Sequence, residues 1–128
     1  MNIIILFHLF ESSHIHMDIE NIYFYGNNLG NNYLYFYSTS GTIRGCRLEN
    51  CKYGIWSKAH NEIMICNNVI KSNVSHGIWC GGILDATDYV IIANNLIDSN
   101  GGNGIYFINV DRSVIVGNII KNNSTDGI

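Results

Sequence analysis

Short apolar runs recur along this chain, and each is broken by Asn or Gly before it reaches the length of an ordinary helix. EIMIC, YVIIA and SVIVG, beginning at Glu62, Tyr89 and Ser113, are typical. They are rich in Ile and Val and bounded by turn residues, which is the signature of short strands. No window holds an i, i+3, i+4, i+7 stripe over helical length. Hydrophobic residues make up 47% of the chain and mean hydropathy is slightly positive at +0.09. A packed core is therefore affordable without disorder.

The runs are in register with one another. YGIW at Tyr53 to Trp56 returns as HGIW at His76 to Trp79, as NGIY at Asn103 to Tyr106, and as DGI at Asp126 to Ile128. Aligning on Gly54, Gly77, Gly104 and Gly127 gives steps of 23, 27 and 23 residues. Three further columns keep the same step. One is Ile43, Ile65, Ile92 and Ile115. A second is Leu48, Ile70, Ile97 and Ile120. The third is Asn50, Asn73, Asn100 and Asn123. A fixed period of this size outranks any local signal for the fold. A turn of about 23 residues holding three short strands predicts one coil of a parallel β-solenoid. Equivalent residues then stack at about 4.8 Å, the Ile columns filling the core. The Asn column is expected at a corner, where Asn tolerates left-handed backbone and its amide reaches the next coil. Gly before each Ile is expected to allow a sharp entry into the strand.

NNVIKSN, NNLIDSN and GNIIKNN, each followed four residues later by GI, resemble the repeats of right-handed parallel β-helix proteins of the pectin-lyase-like superfamily. The resemblance covers roughly residues 42–128. It implies an all-β, right-handed parallel β-helix of about five coils, a fragment of a longer helix being one reading. Residues 20–128 are expected to form the repeat domain. Its first, degenerate coil spans 20–41, with Phe24 and Leu29 in the two apolar columns and Leu34 in the Gly-Ile place. Residues 1–19 are expected to be an N-terminal cap or first strand. Residues 3–10 are too short to span a membrane, since a span takes about 20 residues. No basic residue precedes that run, so no clear signal peptide is present. The closing DGI is expected to begin a strand that further coils or a capping partner would cover.

The same superfamily implies a polysaccharide-binding or polysaccharide-processing role, at the cell surface or outside it. If Ile55, Ile78 and Ile105 point inward, Trp56, Trp79 and Tyr106 point outward. An outward aromatic ladder suits sugar rings, and it serves equally well as a brace for the sheet. Lys58 and His60 lie beside it and complete the expected ligand-binding set. Asp85, Asp88, Arg112 and His76 are candidate catalytic residues, and Asp85 and Asp88 are also candidates for Ca²⁺. His14 and His16, in HIHMD, form a candidate soft-metal pair. No complete enzyme set of the superfamily is present. SHG at Ser75 to Gly77 resembles only the third element of polygalacturonase-like enzymes, and the chain has no Pro for the DPH signature of alginate epimerases. A non-catalytic structural or adhesin-like segment is the competing reading, and a lyase or hydrolase fragment a further one.

Charge and cysteine add exclusions. Net charge is −3 with 7 Lys+Arg, and no basic stripe argues for a nucleic-acid partner. Asn occurs 19 times while charged residues make up only 13%, so polarity goes into backbone hydrogen bonding. Cys46, Cys51, Cys66 and Cys80 fit no zinc spacing. Buried free thiols are the expected state, since a free Cys packs as a small apolar group.

Overall fold

The computed structural model describes residues 6–8, 16–27, 33–37, 40–58, 62–82 and 89–128. Every regular element among them is a strand. In chain order β1 is Leu6–His8, β2 His16–Glu20, β3 Tyr23–Tyr25 and β4 Leu34–Tyr37. The next turn is β5 Ser40–Arg44, β6 Arg47–Glu49 and β7 Ile55–Lys58, and the one after it β8 Ile63–Cys66, β9 Val69–Lys71 and β10 Ile78–Gly81. There follow β11 Val90–Ala93, β12 Leu96–Asp98 and β13 Ile105–Ile108, then β14 Ser113–Val116 and β15 Ile119–Lys121.

Each strand pairs in parallel with its equivalent one turn away. The first sheet is β1-β4-β7-β10-β13, the second β2-β5-β8-β11-β14 and the third β3-β6-β9-β12-β15. The chain visits the second, third and first sheets in that order, through four full turns with partial turns at either end. The register is the one the apolar columns predict. Ile43, Ile65, Ile92 and Ile115 are successive partners, as are Leu48, Ile70, Ile97 and Ile120. Leu34 partners Ile55, in the Gly-Ile place. Ile43, Ile65, Ile92, Leu48, Ile70, Ile97, Ile55, Ile78 and Ile105 are each 0% exposed. Full burial contributes roughly 1.5–3 kcal/mol per side chain.

Two sequence expectations are corrected by the structure. Phe24 pairs with Leu48 and so belongs to the second apolar column, while Ile19 opens the first by pairing with Ile43. Leu29 lies outside the described residues. Asn50 is not in the Asn ladder. The residue below Asn73 is Cys51, whose backbone N–H donates to Asn73 Oδ1 at 3.0 Å. Asn50 instead takes the left-handed corner conformation (φ 53), in one column with Ser72, Ser99 and Asn122. Turning and laddering are done by adjacent residues. Gly54, Gly77 and Gly104, at the entry to the strand, keep ordinary negative φ. They are required by space, since a Cβ at Gly77 would sit 2.7 Å from Gly104 O and 2.9 Å from Ile97 Cγ2.

A second ladder, not foreseen, turns the other corner. Cys46, Asn68, Asn95 and Asn118 stack there, each preceded by a left-handed residue: Gly45, Asn67, Asn94 and Gly117. Every buried amide in the two ladders is fully used. Asn68 Oδ1 accepts from the Cys46 backbone N–H, and Asn68 Nδ2 donates to Ile43 O at 2.9 Å and to Asn95 Oδ1 at 3.0 Å. Asn73 and Asn100 repeat the pattern. Both ladders start on a cysteine, whose thiol donates weakly to backbone carbonyls instead. The four thiols are free. Burial pushes Cys51 up to about 11 and Cys80 up to about 12, so both stay protonated.

The two corner columns predict opposite responses to substitution. Asn100→Ala strands the Asn73 N–H and the Ile70 carbonyl in the interior and should cost about 2–4 kcal/mol in urea unfolding. Asn50→Gly, at a left-handed corner, should change stability by less than about 1 kcal/mol.

Candidate functional site

Period-two alternation turns the side chains between the inward Ile residues to the outside of the first sheet. Tyr35, Trp56, Trp79 and Tyr106 are in-register partners there. A second row, from the segments entering the strands, adds Tyr33, Tyr53 and His76. Together they make one continuous half-buried aromatic surface. Trp56 and Trp79 stack with centroids 4.7 Å apart and planes 15° apart. His76 stacks on Tyr106 at 4.6 Å and 11°, and lies near-parallel to Tyr53 at 6.1 Å and 17°. Tyr53 meets Trp79 edge-on at 5.1 Å, while Tyr33 and Tyr35 tilt against Trp56 at 5.4 and 4.8 Å. Such pairs each contribute about 0.5–1.5 kcal/mol beyond buried area.

The stacking decides what this surface offers. The broad faces of Trp56 and Trp79 are turned toward each other along the axis, so ring edges make up much of the outer surface. Two polar atoms in it lack a partner. Trp56 Nε1 and Trp79 Nε1 are buried and meet no acceptor. An unsatisfied buried donor costs about 1–3 kcal/mol. Lys58 holds its ammonium 5.3 Å from the Trp56 ring centre, with its stem along Gly82 in the next turn. A Cβ at Gly82 would meet Lys58 Cε at 3.2 Å. Lys52 stands similarly 5.4 Å from the Tyr53 ring centre. Sequence reasoning found Trp56, Trp79, Tyr106 and Lys58. It missed Tyr33, Tyr35 and Tyr53 as members, although Tyr53 and His76 share the position before Gly-Ile.

The candidate chemistry is otherwise dispersed or already engaged. His76 Nδ1 accepts the backbone N–H of Asn103 at 3.0 Å, which places the ring proton of the neutral form on Nε2. Burial lowers its pKa below the ordinary 6.5. Arg112 donates to the Tyr89 hydroxyl and lies over that ring at 4.8 Å, at the corner between the first and second sheets. His16 lies 3.1 Å from Asp18 Oδ1, which also accepts the Thr42 backbone N–H at 3.1 Å. Those two residues border different surfaces from the aromatic face. A 250 Å³ hollow on the second sheet is lined by His16, Ser40, Thr42, Glu62 and Met64. Among the described residues no three His, Cys, Asp or Glu side chains are grouped to hold a metal. His14, His60, Asp85 and Asp88 lie outside the described residues. Among the described residues, no helix is long and apolar enough to cross a membrane.

A family model described as a right handed beta helix region matches residues 7–128. No curated protein and no solved structure matches the chain.

The His76 contacts set a pH dependence. Because its folded pKa is depressed, its contribution is complete above the unfolded value of 6.5 and is lost as pH falls through the folded value. The melting temperature of the wild type should therefore fall between about pH 7.5 and pH 5. In His76→Gln, which keeps an acceptor but has no titrating ring, that fall should be visibly smaller.

Proposed function

The chain belongs to the right-handed β-helix family, and from that footing we propose that it is a carbohydrate-binding module whose contact surface is the aromatic face of the first sheet. The observation that carries the reading is the unbroken half-buried aromatic surface built on the in-register outward column Tyr35, Trp56, Trp79 and Tyr106. Sugar C–H surfaces are apolar enough to pack on ring edges, and sugar hydroxyls pair with polar groups at the rim. The rungs repeat at about 4.8 Å, comparable to the length of one pyranose residue, so a chain laid along the axis meets an equivalent rung at each sugar. Lys58 supplies a charged donor at the rim. In this reading the sugar does not lie flat on a tryptophan face, because those faces are stacked on each other. Such a role belongs at the cell surface or outside it.

One observation favours a second reading, a non-catalytic structural repeat. The Trp56–Trp79 pair satisfies its own faces, which is what a brace for a flat parallel sheet requires. Affinity electrophoresis against a panel of soluble polysaccharides separates the two. Carbohydrate binding predicts that Trp56→Ala/Trp79→Ala retains a folded β spectrum and loses at least about tenfold in affinity. The structural reading predicts a lowered melting temperature and no retardation of either protein by any polymer.

A further inference from the structure

The aromatic strip on the first sheet is longer along the solenoid axis than across it. Tyr35, Trp56, Trp79 and Tyr106 hold one register position on four consecutive strands, and Leu6 of β1 holds it before them. Two residues beyond Trp56, Trp79 and Tyr106 stand Lys58, Gly81 and Ile108, where the rings end. Four rungs span roughly 14 Å from first to last. The strip also turns little along its middle. Neighbouring strands of an ordinary sheet rotate by about 20–25°, which would swing four rungs through about 60–75°. Here Trp56 and Trp79 differ by 15° in plane, and Tyr53 and His76 by 17°. Stacking and side-chain ladders are what hold a parallel sheet flat, and this sheet has the first and is bordered by the second. Tyr35 and Tyr106, at the two ends, lean against the tryptophans at 55° and 72°. The end sites therefore differ from the central pair.

We propose that the polymer taken by this face is built of β-1,4-linked pyranoses whose two bridging bonds are both equatorial, one sugar to a turn. The inference rests on the carbohydrate-binding reading and narrows it to a linkage. Equatorial bonds at C1 and C4 leave the ring from opposite ends, so the chain runs out straight. Each residue then advances it by nearly the full length of a ring, which is close to the spacing of the rungs. Both faces of such a ribbon are largely C–H, so the half-turn from one sugar to the next still offers apolar surface to the strip. Its hydroxyls fringe the edges, beside Lys58 on one flank. An axial bridging bond bends the chain at every sugar and coils it, and a coil leaves a straight track after a few rungs. Each turn adds one contact of the same kind, so affinity comes from length.

Isothermal titration calorimetry of the full chain tests linkage and length together. The ligands are cello-, xylo- and manno-oligosaccharides from disaccharide to hexasaccharide, with malto-oligosaccharides of the same lengths as the α-1,4 control. At least one β-1,4 series should gain about tenfold or more in affinity from disaccharide to tetrasaccharide and then level, while the malto series stays flat. Tyr106→Ala, with its β spectrum checked, should move the levelling point to the trisaccharide and leave disaccharide affinity within about twofold of the wild type. A ring that only braced the sheet would weaken every length alike. A malto series that gains as much, a β-1,4 gain that stops at the disaccharide, or a Tyr106→Ala loss equal at all lengths overturns the proposal. If no β-1,4 series binds while another polymer retards the protein in electrophoresis, the linkage is wrong and the carbohydrate reading stands. If no polymer retards it, that reading falls and this inference with it.

Discussion

The asparagine amide is the interaction on which this solenoid depends. Three sheets can enclose a narrow apolar core only if the chain turns sharply between them, and a sharp turn beside a core buries backbone groups that no strand ladder can satisfy. The two corners that carry Asn ladders solve the problem with a division of labour. One residue takes left-handed backbone and makes the bend. The next sends its amide inward, where it receives an N–H from one turn and returns a proton to a carbonyl of that same turn. Asn68, Asn73, Asn95 and Asn100 are at most 2% exposed, and each is satisfied. Aspartate would lack the donor, and glutamine would have to order an extra side-chain torsion at each rung.

With the corners fixed, stacking does the rest. Residues held one rung apart must tolerate a copy of their own environment above and below. Isoleucine does so in the core, the glycines of the Gly-Ile column do so because a Cβ would strike the neighbouring carbonyl, and aromatic rings do so by stacking on one another. The same rule gives the two outer faces their opposite characters. Rings gather on the first sheet because rings stack well in register. On the third sheet the column Glu49, Lys71, Asp98 and Lys121 is stable only because its signs alternate, for like charges one rung apart would repel.

Much of this was legible in the sequence because stacking repeats itself. The Ile columns, the parallel register and the outward ladder all follow from steps of 23 and 27 residues combined with strand alternation. What escaped lay below the resolution of a period. In Asn50-Cys51 and Asn67-Asn68, one residue turns and its neighbour ladders, and composition does not say which. The second ladder was hidden in those doublets. Phe24 was placed one column early because its turn has a longer connection to the strand that follows. Alternation tells which side of a sheet a ring occupies but not the direction of its plane, so the mutual stacking of Trp56 and Trp79 was not readable. Nor was the nitrogen on which His76 accepts the Asn103 amide, which fixes its tautomer and withdraws Nδ1 from service as a base.

The Asn ladders also have a direction. Every Oδ1 accepts from the turn before it, and no turn supplies the acceptor for its own amide. A turn just made during synthesis therefore holds its corner donors open until the following one arrives. Closure passes along the chain in the order in which the ribosome delivers it, and growth from the amino end is vectorial. Mechanical force meets the same asymmetry. Peeling a turn from the carboxyl side strips the acceptor from both a backbone N–H and an amide N–H of each laddering Asn beneath, whereas peeling from the amino side strips it from one amide N–H and frees an Oδ1. Under tension, the two ends of this solenoid are not equivalent handles.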